Sequence, residues 1–104
     1  MIRVRGQKVT IEIPRTGSEP WIHVIVQRIE EFDDGRVNVV DRWDTFNKRF
    51  SDVFGEMYPV PEGIKQNGVA SIGDVGELIQ TVVVMWLIER YDGVLDEKGN
   101  VVVG

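Results

Sequence analysis

The chain lacks cysteine altogether and has a single histidine among its 104 residues. Without cysteine there are no disulfide bonds, no thiolate nucleophile and no zinc finger. One histidine leaves little room for a histidine-rich metal site or a histidine-centred acid and base pair. His23 shares an apolar strand face with Trp21 and Ile25, which favours a packed, hydrogen-bonded side chain over a general base. We therefore expect no metal, no cofactor and no enzymatic activity.

Long apolar runs and an excess of basic side chains are also absent. The longest apolar run, residues 82–88, is far shorter than the roughly 20 residues that a membrane span requires. Arg3, Arg5 and Lys8 interrupt any leader-like segment. The net charge is -5, and a chain with this balance has no general positive field for phosphate groups. We expect a protein that is soluble and cytoplasmic where it is synthesised, with protein partners rather than nucleic acid or a membrane.

The length and the apolar fraction of 42% predict one α+β domain over residues 1–104. Polar and apolar residues alternate from Lys8 to Ile13, which predicts a half-buried strand. A short partner strand at residues 2–4 would turn back at Gly6. Residues 14–20 are rich in proline, glycine and serine, so they are predicted to form a loop.

A β-hairpin is predicted from Trp21 to Trp43. The loop at residues 33–35, with Gly35 in the left-handed conformation, pairs Phe32 with Arg36. This register places the apolar residues of both strands on one face, where we expect them to meet the core: Ile25, Ile29, Val37, Val39 and Trp43.

The same register sets Ile25 opposite Trp43 and Gln27 opposite Asp41. We interpret the second pair as a polar link at the margin of the core. Asp41, with Asp44 three residues later, is also the candidate carboxylate site if the chain is a small enzyme.

The second half of the sequence predicts helices and a terminal hairpin. After a loop that ends at about Arg49, a short helix is expected to start with Ser51 as N-cap, and an irregular connection follows over residues 59–73. One long C-terminal helix is expected over about residues 74–92, with Ser71 as its cap and Gly93 as its left-handed end. The last residues predict a short hairpin.

The long helix carries two apolar stripes. The first is predicted to face the core and comprises Ile72, Val75, Ile79, Val82, Val83 and Trp86. The second lies apart from it and comprises Val84, Leu87, Ile88 and Tyr91. A small monomer has no need of two such stripes, so we predict that the second is a subunit interface, unless the terminal hairpin covers it within the same chain.

Basic and aromatic residues also interleave along one short segment. They are Arg42, Trp43, Phe46, Lys48, Arg49 and Phe50. This arrangement can clamp a single nucleic acid strand, but three charges are few. A core aromatic cluster with a solvated basic rim is the favoured interpretation.

Three parts of the chain together resemble a known class of proteins. They are residues 1–14, the hairpin from Val24 to the Val-Val-Asp-Arg-Trp segment that ends at Trp43, and the apolar terminal helix. In style they resemble the small α+β virion proteins of tailed bacteriophages. The resemblance implies a non-enzymatic structural protein of the neck, tail or baseplate, located in the virion, and it assigns a role to no individual residue.

Two functions from different classes therefore stand beside the enzyme hypothesis. The first is an assembly protein that acts through protein contacts and forms a homo-oligomer. The second is a small acidic regulatory binder that inhibits a host or nucleic-acid-processing protein, for which nine acidic against three basic side chains in residues 51–104 are the supporting feature. Those acidic residues are spread thinly, so the assembly protein is favoured.

Overall fold

A computed structural model describes residues 1–14 and 19–104. Its strands are β1 (Ile2–Glu12), β2 (Trp21–Glu31), β3 (Val37–Arg49), β4 (Val94–Leu95) and β5 (Val101–Val103). Its helices are α1 (Phe50–Val53), α2 (Glu62–Asn67) and α3 (Ile72–Tyr91). The strands form one antiparallel sheet in the order β3-β2-β1-β5-β4, and α3 packs across β1 and β5. The predicted α+β class, with its hairpins and long C-terminal helix, is confirmed. We call the sheet face under α3 the helix side and the opposite face the back face.

The first strand is longer than predicted, because β1 does not turn at Gly6. It pairs with β2 from Ile2 to Glu12, and one extra residue, Gln7, forms a bulge. The glycine is needed for packing rather than for a turn. A Cβ atom at Gly6 would lie 2.8 Å from Cγ1 of Val83, so its absence lets α3 approach the sheet closely.

The register of the β2–β3 hairpin is confirmed near its loop and wrong beyond it. The amide of Phe32 donates to the carbonyl of Arg36 at 2.9 Å, and Gly35 has a φ of 88°. After the pair of Arg28 with Val40, however, the next pair joins Val26 to Asp44. β3 therefore contains a bulge, and Arg42 within it adopts a left-handed φ of 51°.

This bulge turns Trp43 to the helix side, whereas Val37 and Val39, which precede the bulge, pair as predicted and lie exposed on the back face. Ile25 pairs with Thr45 rather than with Trp43, and the ring of Trp43 lies 5.3 Å from that of Tyr91 on the helix side. The predicted core face of the hairpin is therefore wrong for Val37, Val39 and Trp43, while Ile25 is buried at 5% exposure. The residues that meet the core are instead Val24, Val26 and Phe46. Pairing also continues to Arg49, where a loop was expected, because Trp21 holds the far end of β3.

The helices begin and end close to the predicted positions, with three differences. Ser71 caps α3 in a capping box with Asp74, as predicted. α1 starts at Phe50, one residue before Ser51, and α2 lies within the segment expected to be irregular. The left-handed residue that ends α3 is Asp92 rather than Gly93, with a φ of 51°.

The core lies between the sheet and the C-terminal half of α3. Its buried residues are Val4, Val24, Val26, Phe46, Val83, Trp86, Leu87 and Val101. Both predicted stripes of α3 contribute to it. Ile72 and Val75 of the first stripe do not, since they are 89% and 42% exposed in the first turns of the helix. The predicted core stripe is therefore correct only toward its C-terminal end.

Candidate functional site: two grooves on opposite faces of the sheet

The four predicted interface residues lie against the core and not on an open surface. Leu87 is 1% exposed. Val84, Ile88 and Tyr91 are half-buried and pack against the same core cluster. The premise that this stripe lies apart from the core is wrong, because its residues belong to or pack against the same cluster as Val4 of β1 and Val101 and Val103 of β5. Leu87 is not accessible to a partner, and the open apolar surface lies elsewhere on the helix side.

That open surface is a groove between α3, β2 and the segment after β3. We call it the helix-side groove. It consists of two adjoining hollows of about 300 and 150 Å³ that share Ile22, Val82 and Trp86. One hollow is also lined by Phe50, Val53, Phe54 and Tyr58, and the other by Val9, Ile11, Leu78, Ile79 and Val83. Phe54, which is 87% exposed, stands at its edge. The groove is therefore both apolar and open.

One carboxylate accepts hydrogen bonds from two polar side chains of the groove. Glu56 accepts hydrogen bonds from Nε1 of Trp86, at 2.9 Å, and from the hydroxyl of Tyr58. These bonds, the one from Trp86 foremost, lower the pKa of Glu56. Burial, and then the bond to Glu56, raise the pKa of Tyr58 to about 12. Because both ring donors are satisfied, the groove presents apolar ring surface and no free donor from these two residues.

Acidic side chains predominate around the helix-side groove. Besides Glu56, the charge of Glu89 acts on the Tyr58 hydroxyl. One basic group is also present, since Nζ of Lys48 lies 5.6 Å from the ring centroid of Trp86. Glu56 and Glu89 against Lys48 give this part of the rim a negative balance.

A second groove lies directly behind the first, on the back face. We call it the sheet-face groove; its volume is about 450 Å³. Its lining residues are Lys8, Thr10, Glu12, Trp21, His23, Ile25, Arg42 and Asn47. Cross-strand pairs join Lys8 to Ile25, Thr10 to His23 and Glu12 to Trp21, so these residues share one face. The intervening residues Val9, Ile11 and Ile22 line the groove on the helix side.

Hydrogen bonds fix the shape of the sheet-face groove. Nδ1 of His23 is bonded to Oδ1 of Asn47 across the β2–β3 pair, so His23 is hydrogen-bonded, as predicted. The amide of Arg42 donates to Oε1 of Gln7 at 2.9 Å, which joins the two bulges. The guanidinium of Arg49 lies 5.4 Å from the ring centroid of Trp21 at one end. Among the lining residues Lys8 and Arg42 stand against Glu12, and the cation of Arg49 flanks the groove.

Asp41 and Asp44, three residues apart on β3, lie on opposite faces of the sheet. Asp41 accepts from Nε2 of Gln27 at 2.6 Å, which confirms the polar link. Asp44 turns to the helix side and accepts from Tyr91 at 2.5 Å and from Arg90 at 3.1 Å, which lower its pKa. The two aspartates therefore do not form one carboxylate site.

The interleaved basic and aromatic segment is divided in the same way. Arg42 and Arg49 line or flank the sheet-face groove, while Lys48 and Phe46 contact Trp86 on the helix side. The aromatic residue beside the basic groove is Trp21, from β2. Sequence reasoning missed both grooves. The available signal was the apolar character of α3 on nearly all sides, including its first turns.

Within residues 1–14 and 19–104, no helix has the length and apolar character needed to cross a membrane. The same residues contain no cluster of three or more histidine, aspartate or glutamate side chains placed to hold a metal ion. Comparison of the chain with protein-family models, with curated proteins and with solved structures found no match.

Proposed function

We propose that the chain is an assembly protein that acts through protein contacts, and that its helix-side groove is the surface by which copies associate. The observation that carries the proposal is the open apolar groove itself. It is bordered by large side chains in water, of which Phe54 is 87% exposed and Ile11 is 46% exposed. Apolar surface concentrated in this way marks interaction sites on soluble proteins.

The total surface of the chain supports the same proposal. Its accessible area is 7,534 Å². This exceeds by about 1,600 Å² the area expected from the mass of 11.8 kDa for a compact monomer. The molecule is elongated, with extents of 49 × 35 × 21 Å, and a shape of this kind has more surface than a compact one of the same mass. A chain of this shape gains stability by covering surface with a partner.

The resemblance of the sequence to small virion proteins of tailed bacteriophages extends the proposal to a component of the neck, tail or baseplate. Proteins of that class act by contact and not by catalysis. A homo-oligomer built from this chain fits that role, with no cofactor and no nucleic acid needed for assembly.

The test is the solution mass, measured by light scattering on a sizing column. We expect the unaltered chain to have a mass that is a multiple of 11.8 kDa. The variant Ile11→Glu with Phe54→Glu places charge in the groove and should elute as a monomer with an unchanged circular dichroism spectrum. A matched control, Val37→Glu with Val94→Glu, alters two exposed valines outside the groove and should remain assembled. If the unaltered chain is a monomer at every concentration reached, the proposal is wrong.

A further inference from the structure

From the two grooves we infer that the copies associate head to tail: the helix-side groove of one copy receives the sheet face of the next. This inference rests on the proposed function and names the partner surface of that same groove. The occupant is a second copy of this chain, and the matching surface is the sheet-face groove with its flanking Arg49.

Charge is the first argument. The rim of the helix-side groove holds two carboxylates, Glu56 and Glu89, and the ammonium of Lys48. The sheet-face groove is lined by Lys8 and Arg42 against Glu12, and Arg49 flanks it. Placing either surface on its own copy would bring like charges together, whereas placing one on the other pairs opposite charges. The charges therefore oppose a two-fold contact and favour a contact between unlike surfaces.

Position is the second argument. The two grooves lie back to back on the same stretch of β1 and β2, because alternate residues of each strand line them in turn. Lys8 and Thr10 line one groove, while Val9 and Ile11 line the other. Unlike surfaces on opposite faces of one molecule generate a repeating contact, which ends in a closed ring or an open fibre.

Chemistry and area agree with this arrangement. The sheet-face groove presents the half-buried ring of Trp21, an aromatic anchor of the kind that apolar pockets accept. A stable interface covers about 800 Å² on each partner, and a head-to-tail copy has two interfaces, so about 1,600 Å² would be covered on each copy. That area equals the excess surface of the free chain.

Two variants, each with one damaged surface, test the inference. The groove variant is Ile11→Glu with Phe54→Glu. The face variant is Lys8→Glu with Arg49→Glu, which reverses two exposed charges on the back face. We expect each to be a folded monomer of 11.8 kDa, and an equimolar mixture of the two to form a species of twice that mass. In the mixture one intact groove meets one intact sheet face, and assembly cannot continue beyond a pair.

The control for the face variant is Arg36→Glu with Lys98→Glu, which makes the same change in charge at two exposed positions outside both grooves. It should assemble like the unaltered chain. If the unaltered chain assembles but the face variant does so equally well, or if the mixed variants stay monomeric, head-to-tail association is wrong while the proposed function stands. A monomeric unaltered chain would overturn the proposed function as well.

Discussion

The two tyrosine side chains have pKa values that are set by their contacts in the fold. Both tyrosines donate to carboxylates, Tyr58 to Glu56 and Tyr91 to Asp44. Burial first, and the hydrogen bond second, raise the pKa of each from 10.0 to about 12. The neutral hydroxyl is the form that the fold favours. Its contribution to stability is complete below pH 10 and is lost as the pH rises from 10 to about 12.

We therefore expect the two tyrosines of the folded chain to ionise near pH 12, and those of the unfolded chain near pH 10. Spectrophotometric titration of tyrosinate, with and without denaturant, measures both values. Over the same range the unfolding temperature of the unaltered chain should fall. The unfolding temperature of the double variant Tyr58→Phe with Tyr91→Phe should fall less. Ionisation of the folded chain near pH 10 would contradict the two hydrogen bonds.

Two glycines differ in what a methyl group would meet. At Gly93 a Cβ atom would lie 2.7 Å from Cγ1 of Val101 and 3.2 Å from the carbonyl of Val102, whereas at Gly76, in α3, nothing lies within 4 Å. Gly93→Ala forces the terminal strand away from the helix. The free energy of unfolding should fall by about 1–3 kcal/mol.

Gly76→Ala is the matched control and should raise the free energy of unfolding by about 1 kcal/mol, because alanine favours the helix. Urea unfolding measures the free energy of unfolding of both variants. A stable Gly93→Ala variant would show that the close contact between β5 and the end of α3 does not form.

At the scale of elements, α3 is divided along its length. Its C-terminal half is buried on two sides, by the central strands and by β5, and its first turns stand in water. The sequence periodicity detects the apolar residues of both halves and cannot distinguish them, because the difference depends on where the sheet ends. The four residues predicted to form an interface are for this reason part of the core or packed against it.

Truncation of apolar residues along α3 should follow this division. Leu87→Ala removes a fully buried side chain and should lower the free energy of unfolding by about 2–5 kcal/mol. Ile72→Ala removes a side chain that is 89% exposed, so the change should be below about 0.5 kcal/mol. Both values come from denaturant titration of the purified variants. Equal costs would mean that the first turns of α3 are buried in the free chain.

The β3 bulge is the second element whose effect extends through the fold. It places Trp43 on the helix side and Arg42 on the back face, and it is the reason that the hairpin register changes after Val40. Its left-handed residue, Arg42, carries a side chain where glycine is favoured.

Arg42→Gly should therefore relieve backbone strain of about 1–2 kcal/mol and cost about 0.5–1 kcal/mol in entropy of the unfolded chain, leaving a small gain in stability. Arg5→Gly, at an exposed extended position of β1, has no strain to relieve and should lose about 0.5–1 kcal/mol. Thermal unfolding of the two variants side by side gives the comparison. If both variants lose stability, the side chain of Arg42 contributes more to stability than its left-handed backbone costs.

At the scale of the whole molecule, charge is distributed between the two faces. Residues 51–104, which contain all three helices apart from the first residue of α1, carry nine acidic and three basic side chains, while Lys8 and Arg42 line the groove on the back face. In complexes of this kind, charges accelerate encounter more than they raise affinity.

Association of the two single-surface variants should therefore become slower with salt, by roughly tenfold between low and high ionic strength, while the mass of the final complex stays the same. Stopped-flow mixing followed by light scattering measures the rate and the end point. A rate that does not depend on salt would contradict the pairing of opposite charges, and loss of the complex in salt would show that apolar contact contributes little.

The sequence by itself determined the local features of this protein. The two-residue periodicity, the loop at Gly35, the capping box at Ser71 and the terminal hairpin depend on contacts between residues near one another in the chain, so their patterns are complete in the sequence. The α+β class follows from them. The absence of cysteine and the near absence of histidine likewise exclude whole classes of chemistry without reference to the fold.

Only the tertiary structure decided which apolar residues are buried and which remain open. The bulges at Gln7 and Arg42 shift the strand register by amounts that no local pattern encodes. The one-residue bulge at Gln7 moves the side chains that follow it in β1 to the other face, and the bulge around Arg42 turns Trp43 to the helix side. The position of α3 across β1 and β5 then buries Leu87 and leaves Ile72 in water, since only part of a 20-residue helix fits over the sheet. The two grooves are products of these long-range contacts.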